Sequence, residues 1–152
     1  MQVLVAAGFL AFFIVSLVIG IRLLILASRT RELPELLIGI GVLGIGPVGF
    51  GLLVAGAIAE TKSVGVAGVL AALGSVAVYI GVQSKWVFNW RVYHPRSNTV
   101  GLLVTAVGAA QIYTFGHRAL TTGFLPSAGV DGFVHVQAVI QIGCLLWGSA
   151  EA

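Results

Sequence analysis

The first 27 residues, MQVLVAAGFLAFFIVSLVIGIRLLILA, carry one charge, Arg22. About 20 consecutive apolar residues suffice for a helix to cross the hydrocarbon core of a bilayer. Runs of this kind recur along the 152-residue chain, of which 59% is hydrophobic and only 9% charged. Soluble domains carry about 25% charged residues, because a wet surface needs them. The expectation is an all-α integral membrane protein, a single domain made of a bundle of about five transmembrane helices. No polar stretch is long enough for a separate soluble domain, so function must reside in the bundle or its short loops.

The spans are expected at 2–27, 36–59, 64–90, 99–121 and 133–149. SRTRELPE, ETKS and HPRSN connect the first four, and TTGFLPSAGVDG, with its Gly and Pro, precedes the fifth. Pro34 suits the first turn of the second helix, and Ser97 or Asn98 can cap the fourth. The N-terminus lacks the basic region and cleavage site of a signal peptide, so the first span should be retained. Arg22, Arg29, Arg31, Lys85, Arg91 and Arg96 flank loops one and three; Lys62 and Arg118 flank loops two and four. By the positive-inside rule, loops one and three are cytoplasmic and the N-terminus lies outside. The localisation expected is a bacterial-type inner membrane. Trp86, Trp90 and Tyr93 then fall near the cytoplasmic end of span three, where amphipathic rings anchor at headgroup level. Arg22 can snorkel to the same surface.

Basic residues at the ends of apolar runs report topology, not a phosphate-binding patch, so nucleic acid is excluded as a partner despite a pI near 9.5. The lone Cys144 permits no intrachain disulfide and no paired-cysteine motif, and it reads as a packed small residue. The expected partners are the lipid bilayer and either further copies of the chain or other membrane subunits. The chain stops after span five without a polar tail, which suits a bundle completed by such partners.

Span two holds Gly39, Gly41, Gly44, Gly46, Gly49, Gly51 and Gly56. At about 100° per residue they fall on three faces: Gly39 with Gly46, Gly49 with Gly56, and Gly41 with Gly44 and Gly51. Small residues let helices approach closely in lipid, so this span should pack on several sides. Pro47 lacks an N–H and crowds the carbonyl of Leu43, which predicts a kink at Gly46-Pro47. The glycine spacing also mimics a dinucleotide fingerprint, but that motif requires a preceding strand and an exposed helix N-terminus.

The candidate site lies on spans four and five. Gln111, Thr114 and Arg118 follow an i, i+3, i+7 pattern, and Gln137, Gln141 and Cys144 an i, i+4, i+7 one, so each set shares a helical face. His117 and His135 should reach similar depth on either side of loop four, with Asp131 at its edge. Polar groups in a membrane point into the bundle. This seam suits a ligand or ion path, with a histidine exchanging protons near neutral pH. It also suits a site that senses an external small molecule. The two histidines permit haem ligation as an alternative, but neither a resident cofactor nor a metal is expected. The structural reading is an Arg118–Asp131 pair with glutamines bonded across the hairpin. No catalytic constellation is present.

RTRELPEL after span one and WVFNWRVYHPRS after span three resemble loops of uncharacterised bacterial multi-pass membrane proteins that carry further helices after the fifth. That resemblance implies an N-terminal part of such a protein and no activity. The functional expectation is a non-enzymatic membrane component, either a ligand-responsive module or an oligomeric subunit. A small channel or transporter and a haem-binding redox subunit are the alternatives.

Overall fold

The structure is a computed structural model that describes residues 2–125 and 132–151, with side chains from Ala7 and, in the last helix, from His135. Every regular element among the described residues is helical. Helix α1 (Gln2–Thr30) is followed by α2 (Leu33–Leu43), a π-helical segment (Gly44–Phe50) and α3 (Gly51–Glu60), which together form one continuous rod. Then come α4 (Val64–Tyr93), α5 (Asn98–Leu120) and α6 (Gly132–Glu151). Four stretches, Ala7–Thr30, Leu33–Glu60, Val64–Tyr93 and Asn98–Leu120, are long and apolar enough to cross a membrane.

The ends of these rods are set locally. Pro34 sits in the first turn of α2, where a missing N–H costs nothing. Ser97 caps α5, its side chain accepting from the Val100 amide. Arg31 closes α1 at φ 59°, a left-handed position more usually held by glycine.

Outside, the bundle is apolar: Leu10, Val18, Leu102 and Ile112 are 59%, 59%, 72% and 76% exposed. Inside, it holds Ser16, Ser84, Asn89, Gln111, Thr114 and Gln137, all buried. Soluble monomers rarely expose contiguous apolar patches larger than a few hundred Å². Here apolar side chains cover the surface and amides occupy the interior.

Helix α4 is the hub. It packs against α2, the π segment, α3, α5 and α6, while α1 packs on the opposite side of the α2–α3 rod. The rod meets α4 backbone to backbone. A Cβ on Gly44 would lie 2.7 Å from the Ala77 carbonyl oxygen, and one on Gly81 2.8 Å from the Ile45 nitrogen. A Cβ on Gly74 would lie 2.9 Å from the Gly49 oxygen, and one on Gly56 3.2 Å from the Ala67 oxygen. The other side of the rod meets α1, with Gly39 against Leu24, Gly46 against Ser16 and Gly51 against Phe13.

So the three glycine faces of a regular helix become two. The π segment explains this. A π turn places one extra residue in the helix, which turns everything beyond it by about 100°. That rotation brings Gly49 and Gly56 onto the face of Gly41 and Gly44, and carries Gly51 to the face of Gly39 and Gly46. Pro47 lies inside the π segment and is buried. Local π adjustment is one way a helix in an apolar medium accommodates proline.

On the other side of α4, side chains hold the helices apart. Trp86 and Trp147 meet at 5.2 Å between ring centroids, and Tyr79 and Phe115 at 5.7 Å in a T-shaped pair. The core here is Val78, Val82, Trp86, Val104 and Cys144. Trp86 is a buried contact between α4 and α6, 8% exposed, with its ring against Trp147 and near Gly143. Trp90 and Tyr93 are half-buried; the Trp90 indole donates to the Ser97 carbonyl at 3.2 Å, and Arg91 lies over its ring.

Candidate functional site

Three clefts open on the sides of α4 that the glycine seam leaves free. The first, of about 330 Å³, lies beside the π segment and is bordered by Ser16, Gly46, Lys85, Gln141 and Cys144 among apolar side chains. Gly46 contributes by having no side chain, and the Lys85 stem crosses Gly41 with its Cγ 3.0 Å from where a Cβ would stand. The second, of about 190 Å³, shares Phe50 and Gln141 with the first and adds Ser75, Tyr79, Arg118 and Gln137. The third, of about 320 Å³, lies on another side of α4, between Leu37 and Ile112, with Gln83, Ser84 and Gln111 in its wall.

Expected polar residues thus separate into two groups. Gln111 turns to α4: its Nε2 donates to the Gln83 Oε1 at 3.3 Å, and Gln83 Nε2 donates to the Val104 carbonyl at 3.0 Å. Gly108 makes room for the Gln83 amide, which would lie 3.1 Å from a Cβ there. Thr114 Oγ1 is used locally, donating to the Gln111 carbonyl at 2.9 Å. Gln137 and Gln141 belong to the other group, with Arg118. Among the described residues no hydrogen bond joins Gln111 of α5 to Gln137 or Gln141 of α6. The bond expected across the hairpin is replaced by one to Gln83 of α4.

Gln137 is the outlier. It is 8% exposed, and neither its Nε2 nor its Oε1 has a hydrogen-bond partner. Gln111 Oε1 is also unpartnered. Leaving a buried amide unmatched costs about 1–3 kcal/mol, and in lipid no bulk water repairs it. Arg118 is half-buried at the mouth of the second cleft. Its Nε donates to the Gly123 carbonyl at 3.2 Å, and its guanidinium lies over the Phe124 ring.

His117 is half-buried beside Tyr113 and 3.4 Å from the Thr121 hydroxyl, and His135 is exposed. Neither borders these clefts. Asp131 lies outside the described residues. Among the described residues no group of three His, Cys, Asp or Glu side chains is placed to hold a metal ion.

Ser75, Tyr79 and Gln83 complete the walls of the second and third clefts. Their signal is plain once α4 is known to be central: they recur at every fourth position of an apolar helix, so they share one stripe. Lys85 and Ser16 carry no comparable signal, because their neighbours come from other helices.

At the far end of the bundle, His94 Nε2 meets Glu151 Oε1 at 2.8 Å, and the Trp147 indole donates to the same oxygen at 3.1 Å. A carboxylate only accepts, so both nitrogens donate. These hydrogen bonds, the His94 bond foremost, hold the Glu151 carboxyl below the usual carboxylate range.

No protein-family model, curated protein or solved structure matches this chain.

Proposed function

We propose that the chain is a non-enzymatic multi-pass component of a bacterial-type inner membrane, with five spans and an outward N-terminus, that takes a small polar ligand within its bundle. One observation carries this reading: the Gln137 amide, buried and unpartnered in a cleft that also holds Arg118, Tyr79, Ser75 and Gln141. Buried polar groups ordinarily find partners, and ligand-binding sites are where unmatched ones gather. The arginine-rich loops one and three support the orientation. In that orientation Arg118 lies toward the outer face, so the ligand enters from outside and acts on the packing of α4 against α6.

Native mass spectrometry of the particle released from nanodiscs tests this directly. A small-molecule adduct that disappears in Gln137→Leu is the expected result. A particle that never carries an adduct, in any lipid, contradicts it. The same measurement counts copies of the chain and any other subunit, and an absorption spectrum on the same sample tests haem ligation by His117 and His135.

A transport path is the second reading. It is favoured by the continuity of the first two clefts, which share Gln141 and Phe50 and place Lys85 in the first and Arg118 in the second. Electrogenic or solute flux in liposomes, reduced by Gln141→Leu, would favour it over a static ligand site.

A further inference from the structure

We infer that the second cleft is an oxyanion site, built for a small carboxylate with a short apolar tail. The inference rests on the ligand-binding reading above and names the ligand's chemistry.

Charge decides the sign. The described lining of the cleft has one ionisable cation, Arg118, and no acidic side chain. A half-buried guanidinium in the wall repels cations and favours an anion. Guanidinium also matches carboxylate geometry with paired N–H donors. Its position is fixed by the Nε bond to the Gly123 carbonyl at 3.2 Å and by the Phe124 ring beneath it.

Hydrogen bonding is compatible with that sign. Gln137 has an N–H₂ group without an acceptor, which an oxyanion supplies, and an Oε1 without a donor, which a water entering with the anion supplies. Ser75 Oγ has its proton committed to the Ala71 carbonyl at 2.9 Å, so it does not compete as a donor. The rest of the described wall is Gln141 and Tyr79 with the apolar Phe50, Val78 and Ala138. About 190 Å³ of space lined in this way takes a small apolar group beside the anion, not a bare ion alone. The same oxyanion chemistry is offered by a free carboxylate and by the phosphate of a phospholipid headgroup.

The probes are radiolabelled benzoate and its neutral isostere benzamide, titrated onto the full chain in zwitterionic nanodiscs. Benzoate should bind saturably, and benzamide at least tenfold more weakly. Gln137→Leu and Arg118→Gln should each weaken benzoate at least tenfold. Gln137→Leu should unfold at the same temperature as the native chain or higher, because it removes an unmatched amide. If Arg118→Gln fails to fold, Arg118→Lys retains the charge and should keep benzoate binding within tenfold. Added phosphatidylglycerol that competes with benzoate would identify the headgroup as the source; no competition would identify a free carboxylate. Equal binding of benzoate and benzamide would overturn the oxyanion assignment while leaving a ligand site in place. No saturable benzoate binding and no lipid competition, with a neutral adduct still seen by native mass spectrometry, would also overturn the oxyanion assignment alone. Absence of both would overturn the two readings together.

Discussion

The two sides of α4 are packed by opposite means. Toward the α2–α3 rod it lays Gly74 and Gly81 against Gly44, Ile45 and Gly49, backbone on backbone. Toward α5 and α6 it uses Trp86, Tyr79 and Gln83, which hold the helices apart. Close backbone approach leaves no space and no unmatched polar side chain. The splayed side leaves clefts and buried amides, including the unpartnered Gln137. Close packing and clefts are thus divided between two faces of one helix, and the proposed ligand site falls on the loosely packed face.

The extra residue in the π segment is what makes the tight side possible, so disturbing that residue count should have the largest effect. Inserting one alanine after Val48 adds a residue that the π turn does not absorb and swings Gly49 and Gly56 about 100° away from α4. A disulfide reports this. A Cβ on Gly56 would lie 3.4 Å from the Ala71 Cβ, near the separation of about 3.5–4.5 Å in disulfides. Gly56→Cys with Ala71→Cys, in a Cys144→Ser chain, should cross-link readily. The alanine insertion should cut the yield at least tenfold, whereas deleting Val48, which only removes the extra residue, should largely keep it; an unchanged yield after the insertion would mean that the residue count of the π segment does not set the register.

Glycine substitutions separate the two sides more finely. Gly81→Leu forces side-chain atoms into the Ile45 nitrogen and the Gly41 oxygen and should cost about 3 kcal/mol, the upper end for overpacking. A Cβ on Gly116 of α5 meets nothing within 4 Å. Gly116→Ala should therefore stay within about 1 kcal/mol of the native chain. Denaturant unfolding in detergent measures both, and equal losses would erase the contrast.

This contrast also marks how far the sequence can be read. The apolar runs and their polar connectors place the helices to within a few residues, because each run must be long enough to span. Polar residues at helical spacing point to the inner faces of α5 and α6: Gln111, Thr114, Gln137 and Cys144 are buried, and Arg118 and Gln141 half-buried. Which glutamine meets which is another matter. Gln111 finds Gln83 because Gly108 and the rotation of α4 put that amide there, and rotation about a helix axis leaves no local mark. Likewise Pro47 announces an irregularity, yet an extra residue in the turn and a simple bend look alike in sequence. Trp86 is a similar case: a tryptophan near a helix end suits a lipid interface, a core contact or both, and only its neighbour, Trp147, shows the core contact.

A smaller effect tests whether the polar pairing on the splayed side contributes to stability. The Gln83–Gln111 bond is a single interhelical amide contact, and such contacts in membrane helices average about 0.6 kcal/mol. A double-mutant cycle with Gln83→Leu and Gln111→Leu should return a coupling of about that size. A coupling of about 2 kcal/mol or more would mean that α5 is held chiefly by its amides, contrary to the aromatic spacing described above.

The smallest effect is expected where α6 returns to the end of α4. Glu151 has its carboxyl pKa lowered by hydrogen bonds from His94 and Trp147. A carboxyl whose pKa is lower folded than unfolded stabilises the fold above its unfolded value and loses that contribution as pH falls through the folded value. Stability should therefore be level in this respect from pH 7 to about 5 and decline below the ordinary glutamate range, about 4.3. The group is fully exposed, so solvent screens the interaction and the step is small. Fluorescence resolves it, because the Trp147 indole donates to the same carboxylate oxygen. Its emission should shift on acidification in the native chain and stay flat in Glu151→Gln. The tight side offers the internal reference: cross-linking between Gly56→Cys and Ala71→Cys should not respond over the same pH range. A shift in both would mean that acid loosens the whole bundle, and the division of labour across α4 would then fail at low pH.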